Sequence, residues 1–233
     1  MLILEKLSKR ALVGHRGIPA KELENTLQSI HRAIELGADI VEVDIQRTED
    51  GVLVLSHDEN LKRTFGLDVN IREASWEELA KISKDGYRLA RLEEALELVG
   101  GKVGVFLEVK HPEDADAVRE VVEGAKAKDW IAVISFYPEA LEPLKGRLMT
   151  GLVYAKPPGS IPEAKKLGCS LVLPKYSLAT QRAIDFAHRL KLFVVAWTVN
   201  EPKKAEELFK RGADAIATDD VLLLKKSLTH LLP

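Results

Sequence analysis

Eight short β-rich runs alternate with amphipathic helical stretches along 233 residues, and that count predicts an α/β chain folded as a (β/α)8 barrel of the TIM type. A recurring connection points the same way. Leu36-Gly37-Ala38-Asp39-Ile40 returns as Arg211-Gly212-Ala213-Asp214-Ala215, and more loosely as Leu167-Gly168-Cys169-Ser170-Leu171. Each sets a glycine just past a helix, where the left-handed C-cap conformation comes cheaply, and a strand two or three residues later. Length agrees too: 233 residues suit one barrel, and 46% hydrophobic with 30% charged residues describes a globular chain with ample core. A doubly wound open sheet is the competing α/β arrangement.

In order, the expected strands are 11–14, 40–46, 103–109, 131–135, 150–155, 170–173, 193–198 and 215–218. The helices between them fall at 26–36, 91–99, 114–127, 138–144, 161–167, 179–189, 203–210 and 221–231. The first helix shows the pattern, with Leu27, Ile30 and Ile34 on one face and Gln28, His31 and Glu35 elsewhere. Residues 49–90 are too long for one βα loop. Asp50-Gly51 reads as a tight turn into an extra strand, 52–56, which delivers His57-Asp58. A short helix around 76–82 follows. The stretch 58–90 is therefore a small insertion after the second strand, capping the barrel mouth, within a single domain spanning 1–233.

Composition excludes several function classes. The net charge of −2 gives no bulk signal for nucleic acid. The single cysteine, Cys169, rules out an intramolecular disulfide and fits a reducing compartment. Neither a signal-peptide core nor an apolar run of the ~20 residues that span a bilayer is present. The expectation is a cytoplasmic protein without stable membrane insertion. Oligomeric state is not legible.

The chemistry concentrates near the start. Within Asp39-Ile40-Val41-Glu42-Val43-Asp44-Ile45, alternation sends Glu42 and Asp44 to the same face of an otherwise apolar strand. Two like charges there repel and lose hydration, which costs several kcal/mol unless a cation compensates. A divalent metal in a hard-oxygen site is the simplest compensation, and pairing with Arg16 and Lys110 as an ionic core is the plainer one. In an α/β barrel the C-terminal strand ends converge on one face. His15-Arg16-Gly17 ends the first strand, Glu108 and Lys110 share a face at the end of the third, and Phe136, Lys156, Lys175 and Trp197 end later ones.

Taken together, His15-Arg16-Gly17, Leu23-Glu24-Asn25-Thr26, Glu42-Val43-Asp44, Thr48-Glu49-Asp50-Gly51 and His57-Asp58 resemble the signature of the glycerophosphodiester phosphodiesterase family. Glu108-Val109-Lys110, Trp197-Thr198-Val199-Asn200 and the stretch from Gly212 to Asp219 also resemble it. One departure stands out: Leu23 replaces the usual proline ahead of a helix, a change expected to affect loop rigidity more than chemistry. The resemblance implies a TIM-barrel hydrolase that converts glycerophosphodiesters to an alcohol and glycerol phosphate. It implies Glu42, Asp44 and Glu108 as ligands of one divalent metal, magnesium or calcium, with manganese also admissible. It further implies His15 and His57 as the acid–base pair and Arg16 as a phosphate contact, with Lys110 directed into the same site.

These residue types suit a phosphodiester independently. Its anionic oxygens must be neutralised before a nucleophile can approach, and histidine, with an unperturbed pKa of ~6.5, serves as either acid or base near neutrality. The sequence leaves open which histidine is the acid, and whether water or the glycerol 2-hydroxyl attacks. Phe136 and Trp197 are candidates to pack against substrate carbons or a choline-type cation. Lys156 and Lys175 are either phosphate-attracting or solvated rim lysines. His111 is expected to cap the helix that follows it, and His31, His188 and His230 to be solvated. Rival readings are a lysophospholipase D and, in a different class, a non-catalytic glycerol phosphate-binding barrel; a metal-dependent sugar isomerase is weaker.

Overall fold

The computed structural model describes residues 2–232. Eight parallel strands close on themselves: β1 Ala11–Gly14, β2 Ile40–Arg47, β3 Gly104–Val109, β4 Ile131–Ser135, β5 Met149–Tyr154, β6 Leu171–Pro174, β7 Phe193–Ala196 and β8 Ala215–Thr218. Closure comes from β1, which pairs with β8 on one side and β2 on the other. The helices that follow the strands are α1 Leu27–Glu35, α2 Leu92–Val99, α3 Ala115–Gly124, α4 Pro138–Leu141, α5 Ile161–Leu167, α6 Gln181–Arg189, α7 Pro202–Lys210 and α8 Val221–Ser227. This is the (β/α)8 barrel expected from the alternation, and it excludes the open sheet.

Two apolar layers hold it together. Outward residues of the strands, such as Val41, Val43, Leu107 and Val109, pack against the inner faces of the helices in one continuous core. Inward residues fill the lower barrel, where Val13, Ile40, Phe106, Ile134, Leu171 and Val195 meet. A helix unseen in the sequence, Leu2–Leu7, closes the bottom by burying Ile3 and Leu7 completely against that filling. Six residues carry too little periodicity to announce a helix, so only packing reveals it.

The register of β2 on β3 matters most for the site. Ile40 lies beside Gly104, Glu42 beside Phe106 and Asp44 beside Glu108. Since alternate residues share a face, the inward stripe rises from apolar Ile40 and Phe106 to acidic Glu42, Asp44 and Glu108 at the top. Strand β7 stops at Ala196, not Thr198 as the sequence suggests. At Trp197 only an isolated bridge to Lys175 remains, and the indole N–H turns to donate to the Leu173 carbonyl at 2.7 Å.

After β2 the chain doubles back through the antiparallel strand Leu53–Leu55. The insertion then forms two four-residue helices, Lys62–Phe65 and Trp76–Leu79, and a two-residue hairpin pairing Ser83–Lys84 with Tyr87–Arg88. A small apolar cluster of Val54, Leu61, Phe65, Ile71, Leu79 and Leu89 supports it. Leu23 packs against this cluster, so the residue that departs from the family's proline gives the insertion an apolar neighbour. Among the described residues, no helix is long and apolar enough to cross a membrane.

Candidate active site

The turn after β1 is built for close approach. Gly17 has φ +87°, and a Cβ there would meet Ser29 Oγ at 2.4 Å and the Ser29 carbonyl carbon at 2.7 Å, so no other residue fits. Arg16 beside it is left-handed at φ 53°. That conformation aims its backbone N–H at Glu42 Oε2, 2.8 Å away. Non-glycine residues pay strain for such angles, and they cluster where a site demands a particular geometry. Asn25, at φ 56°, is another left-handed residue at the site. Its amide donates to Asp44 Oδ2 at 2.8 Å and its carbonyl accepts from the Asp44 N–H at 3.0 Å, locking that carboxylate.

Glu42, Asp44 and Glu108 each offer an oxygen within 4.8 Å of the others, and all three are buried. Lys110 Nζ lies 2.7 Å from Asp44 Oδ1 and also pairs with Glu108. Arg16 Nε lies 3.3 Å from Asp44 Oδ2. Both cations sit beside Asp44, whereas Glu42 Oε1 is buried with no hydrogen-bond partner. Electrostatics record the same imbalance. Burial and the Asp44 charge push the Glu42 carboxyl up to about 8. Burial, joined by Asp44, also raises Glu108 despite Lys110. Asp44 itself is lowered: burial opposes ionisation, but Lys110 and Arg16 outweigh it. An orphaned, proton-seeking carboxylate beside two others fits a hard divalent cation, which the ionic pairing alone leaves unsatisfied.

The two histidines flank this cluster, each held at Nδ1 by an aspartate. His15 meets Asp219 Oδ1 at 2.7 Å and His57 meets Asp58 Oδ1 at 2.7 Å. A carboxylate only accepts, so each bond assigns the proton to Nδ1 and leaves Nε2 as the ring nitrogen the aspartate does not hold. Asp219 is itself held by the Asn200 amide at 2.7 Å. Burial opposes its ionisation, but the bonds from His15 and Asn200 lower its pKa. For His15, burial disfavours the imidazolium, yet the Asp219 bond and the Glu42 charge prevail and raise its pKa.

One cavity of about 180 Å³ gathers most of the residues singled out in the sequence, among them His15, Arg16, Glu42, His57, Glu108 and Lys110. Asp44 lies just behind it, reached through Arg16 and Lys110. The opposite wall is apolar, with Ile134, Val153, Leu173 and Val195 below Phe136 and Trp197. The last two stack edge-to-face at 5.5 Å, Phe136 well exposed at the rim. Lys156 and Lys175 are exposed and stand outside the cavity lining. A larger groove, about 590 Å³ between α2 and α3, contains Glu93, Glu97 and Trp130 and none of the site residues.

His111 corrects an expectation: it precedes a 3-10 turn, Pro112–Asp114, without any side-chain cap bond. Its ring is drawn instead to Glu59 of the insertion at 2.9 Å. His31, His188 and His230 are all exposed as expected; His188 also bonds Asp214 at 2.9 Å and His230 approaches Glu206 at 3.5 Å. Sequence reasoning assigned no role to Asn25, Asp58, Asn200 or Asp219. All four lie in motifs it noticed, but only the folded chain shows what each side chain touches.

Residues 15–223 match the model of the glycerophosphoryl diester phosphodiesterase family. The chain belongs to that family. It is 28% identical to the glycerophosphodiester phosphodiesterase of Caldanaerobacter subterraneus subsp. tengcongensis, covering 91% of this chain and 95% of that protein. The crystal structure of a glycerophosphodiester phosphodiesterase from Thermotoga maritima is similar at a TM-score of 0.81 and 31% identity, over 93% of this chain and 97% of that one. A phosphodiesterase from Oleispira antarctica, in complex with the product sn-glycerol-3-phosphate, superposes with a TM-score of 0.87 at 25% identity, over 95% and 97% of the two chains. This family member thus shares its architecture with phosphodiesterases across nearly its whole length.

Proposed function

We propose that this member of the glycerophosphoryl diester phosphodiesterase family hydrolyses glycerophosphodiesters to an alcohol and glycerol phosphate. One divalent metal is held by Glu42, Asp44 and Glu108, and His15 and His57 form the acid–base pair. The observation that carries this reading is the buried carboxylate triad, with Glu42 Oε1 unpartnered, beside two imidazoles each fixed at Nδ1 by an aspartate. Magnesium or calcium suits the all-oxygen donor set, and manganese is tolerated by the same chemistry. Barrel and insertion act as one domain.

When bound, the metal neutralises phosphoryl oxygens as a Lewis acid. The chain's own cations add to that. Arg16 and Lys110 line the cavity and carry positive charge toward an anionic diester, and burial strengthens their effect by excluding water. The Nε2 of one histidine accepts the proton of the attacking hydroxyl, and that of the other donates a proton to the departing alkoxide. Attack by water and attack by a substrate hydroxyl place the same demand on this pair.

The apolar wall favours a second reading of the substrate. Phe136, Ile134 and Leu173 present apolar side chains and the Trp197 indole N–H is already committed to the Leu173 carbonyl, so a lysophospholipid lying with its chain toward β4–β7 would suit that side, as a lysophospholipase D requires. His57→Ala tests the core of the proposal: turnover of glycerophosphocholine should be lost while the substrate still binds. Full turnover with weakened binding would remove His57 from the chemistry and favour a binding protein.

A further inference from the structure

The two halves of the site meet at an insertion residue with no assigned role. Arg63, on the helix Lys62–Phe65, donates from Nε to Asp58 Oδ2 at 2.6 Å. Its two terminal nitrogens reach Glu24 at 2.9 and 2.7 Å in a forked pair. Asp58 holds the imidazole of His57 at 2.7 Å, and Glu24 holds Arg16 at 3.1 Å. A single guanidinium thus joins the carboxylate behind the histidine to the carboxylate behind the phosphate-facing arginine.

We propose that Arg63 is a positioning residue for both His57 and Arg16, an inference that rests on the roles given to those two residues above. Exposed ion pairs usually contribute little. This one differs because the fork is bidentate, its Glu24 partner is only 13% exposed, and a third N–H is committed to Asp58. Burial of the adjoining Leu61 and Phe65 anchors the helix that carries it. The charge logic is specific. Glu24 faces two arginines, and Arg63 absorbs its charge so that Arg16 keeps its own for an anionic ligand. Asp58 likewise carries two loads, and Arg63 holds it in the orientation that bonds His57. The insertion therefore does more than cover the mouth: it closes a chain running from His57 through Asp58, Arg63 and Glu24 to Arg16.

Steady-state kinetics on glycerophosphocholine with metal present separates these effects. Arg63→Met should lower kcat by roughly 10–100-fold, as loss of an outer support to a functional group does. It should also raise KM by about tenfold. Adding Glu24→Gln to Arg63→Met should bring KM back toward wild type, because the unneutralised charge is gone, while kcat stays low. Adding Asp58→Asn to Arg63→Met should lower kcat no further than Asp58→Asn alone. A purely structural residue would reduce the active fraction and melting temperature without splitting kcat from KM, and that result overturns the proposal. Wild-type kcat and KM in folded Arg63→Met would also overturn it. Where Arg63→Met fails to fold, Arg63→Lys keeps the charge without the fork and should still show the kcat loss; wild-type kinetics from it would sink the idea. His57→Ala with full turnover would indict the underlying functional reading instead.

Discussion

Asp219 reaches His15 at 2.7 Å from the far end of the chain, 204 residues away. Burial alone would drag the His15 pKa down, and the Asp219 bond is the largest effect opposing it. Asp219→Asn should therefore drop His15 below its ordinary value of ~6.5, read from imidazole proton shifts across a pH titration. An unchanged His15 titration would show that the bond does not govern it. Linkage fixes the stability consequence. His15, raised on folding, contributes stability that is full below ~6.5 and lost as pH rises through its folded value. Asp219, depressed on folding, contributes stability present above ~3.9 and lost as pH falls through its folded value. The urea midpoint of Asp219→Asn should lag wild type most near about pH 5, and the gap should narrow on the alkaline side. At this scale the residue types of the site were legible, since carboxylates two apart on an apolar strand need an explanation wherever they occur. Their partners were not. Nothing local in Asp219 or Glu24 says which imidazole or guanidinium it will meet.

Elements were legible where periodicity had room to speak. All eight strands and all eight intervening helices lie where alternation and helical spacing put them, with ends displaced by a few residues. Short pieces escaped. The Leu2–Leu7 helix and the insertion's Lys62–Phe65 helix are too brief for a hydrophobic period, and their existence depends on what they pack against, whereas the insertion's Trp76–Leu79 helix falls within the short helix expected at 76–82. Ile3 makes the point, fully buried under Gly104 and Ile40 at the barrel floor. Ile3→Ala should cost about 3 kcal/mol in chemical denaturation by leaving a cavity, with KM unchanged because the floor is remote from the mouth. A cost under about 1 kcal/mol would mean the helix merely rests on the barrel.

Across the whole molecule, the barrel is polarised. Its lower interior is filled by apolar side chains, and its upper interior divides into a charged arc from β1 to β3 and an apolar arc from β4 to β7. The insertion leans on the charged arc through Arg63, Glu59 and Arg72, the last bonding buried Asp114 at 2.7 Å. A fold of this kind gathers charged groups on one side and, on the proposed reading, leaves the other for the carbon portion of an amphiphilic or choline-bearing diester. The central claim is that the carboxylate triad works through a metal on such diesters. It is tested most directly by glycerol phosphate release from glycerophosphocholine, using metal-stripped protein with magnesium, calcium or manganese restored separately. The account predicts negligible release by the stripped protein, recovery with at least one of these ions, and no recovery in Glu42→Gln. Undiminished release without metal, or full metal-dependent release by Glu42→Gln, would contradict it.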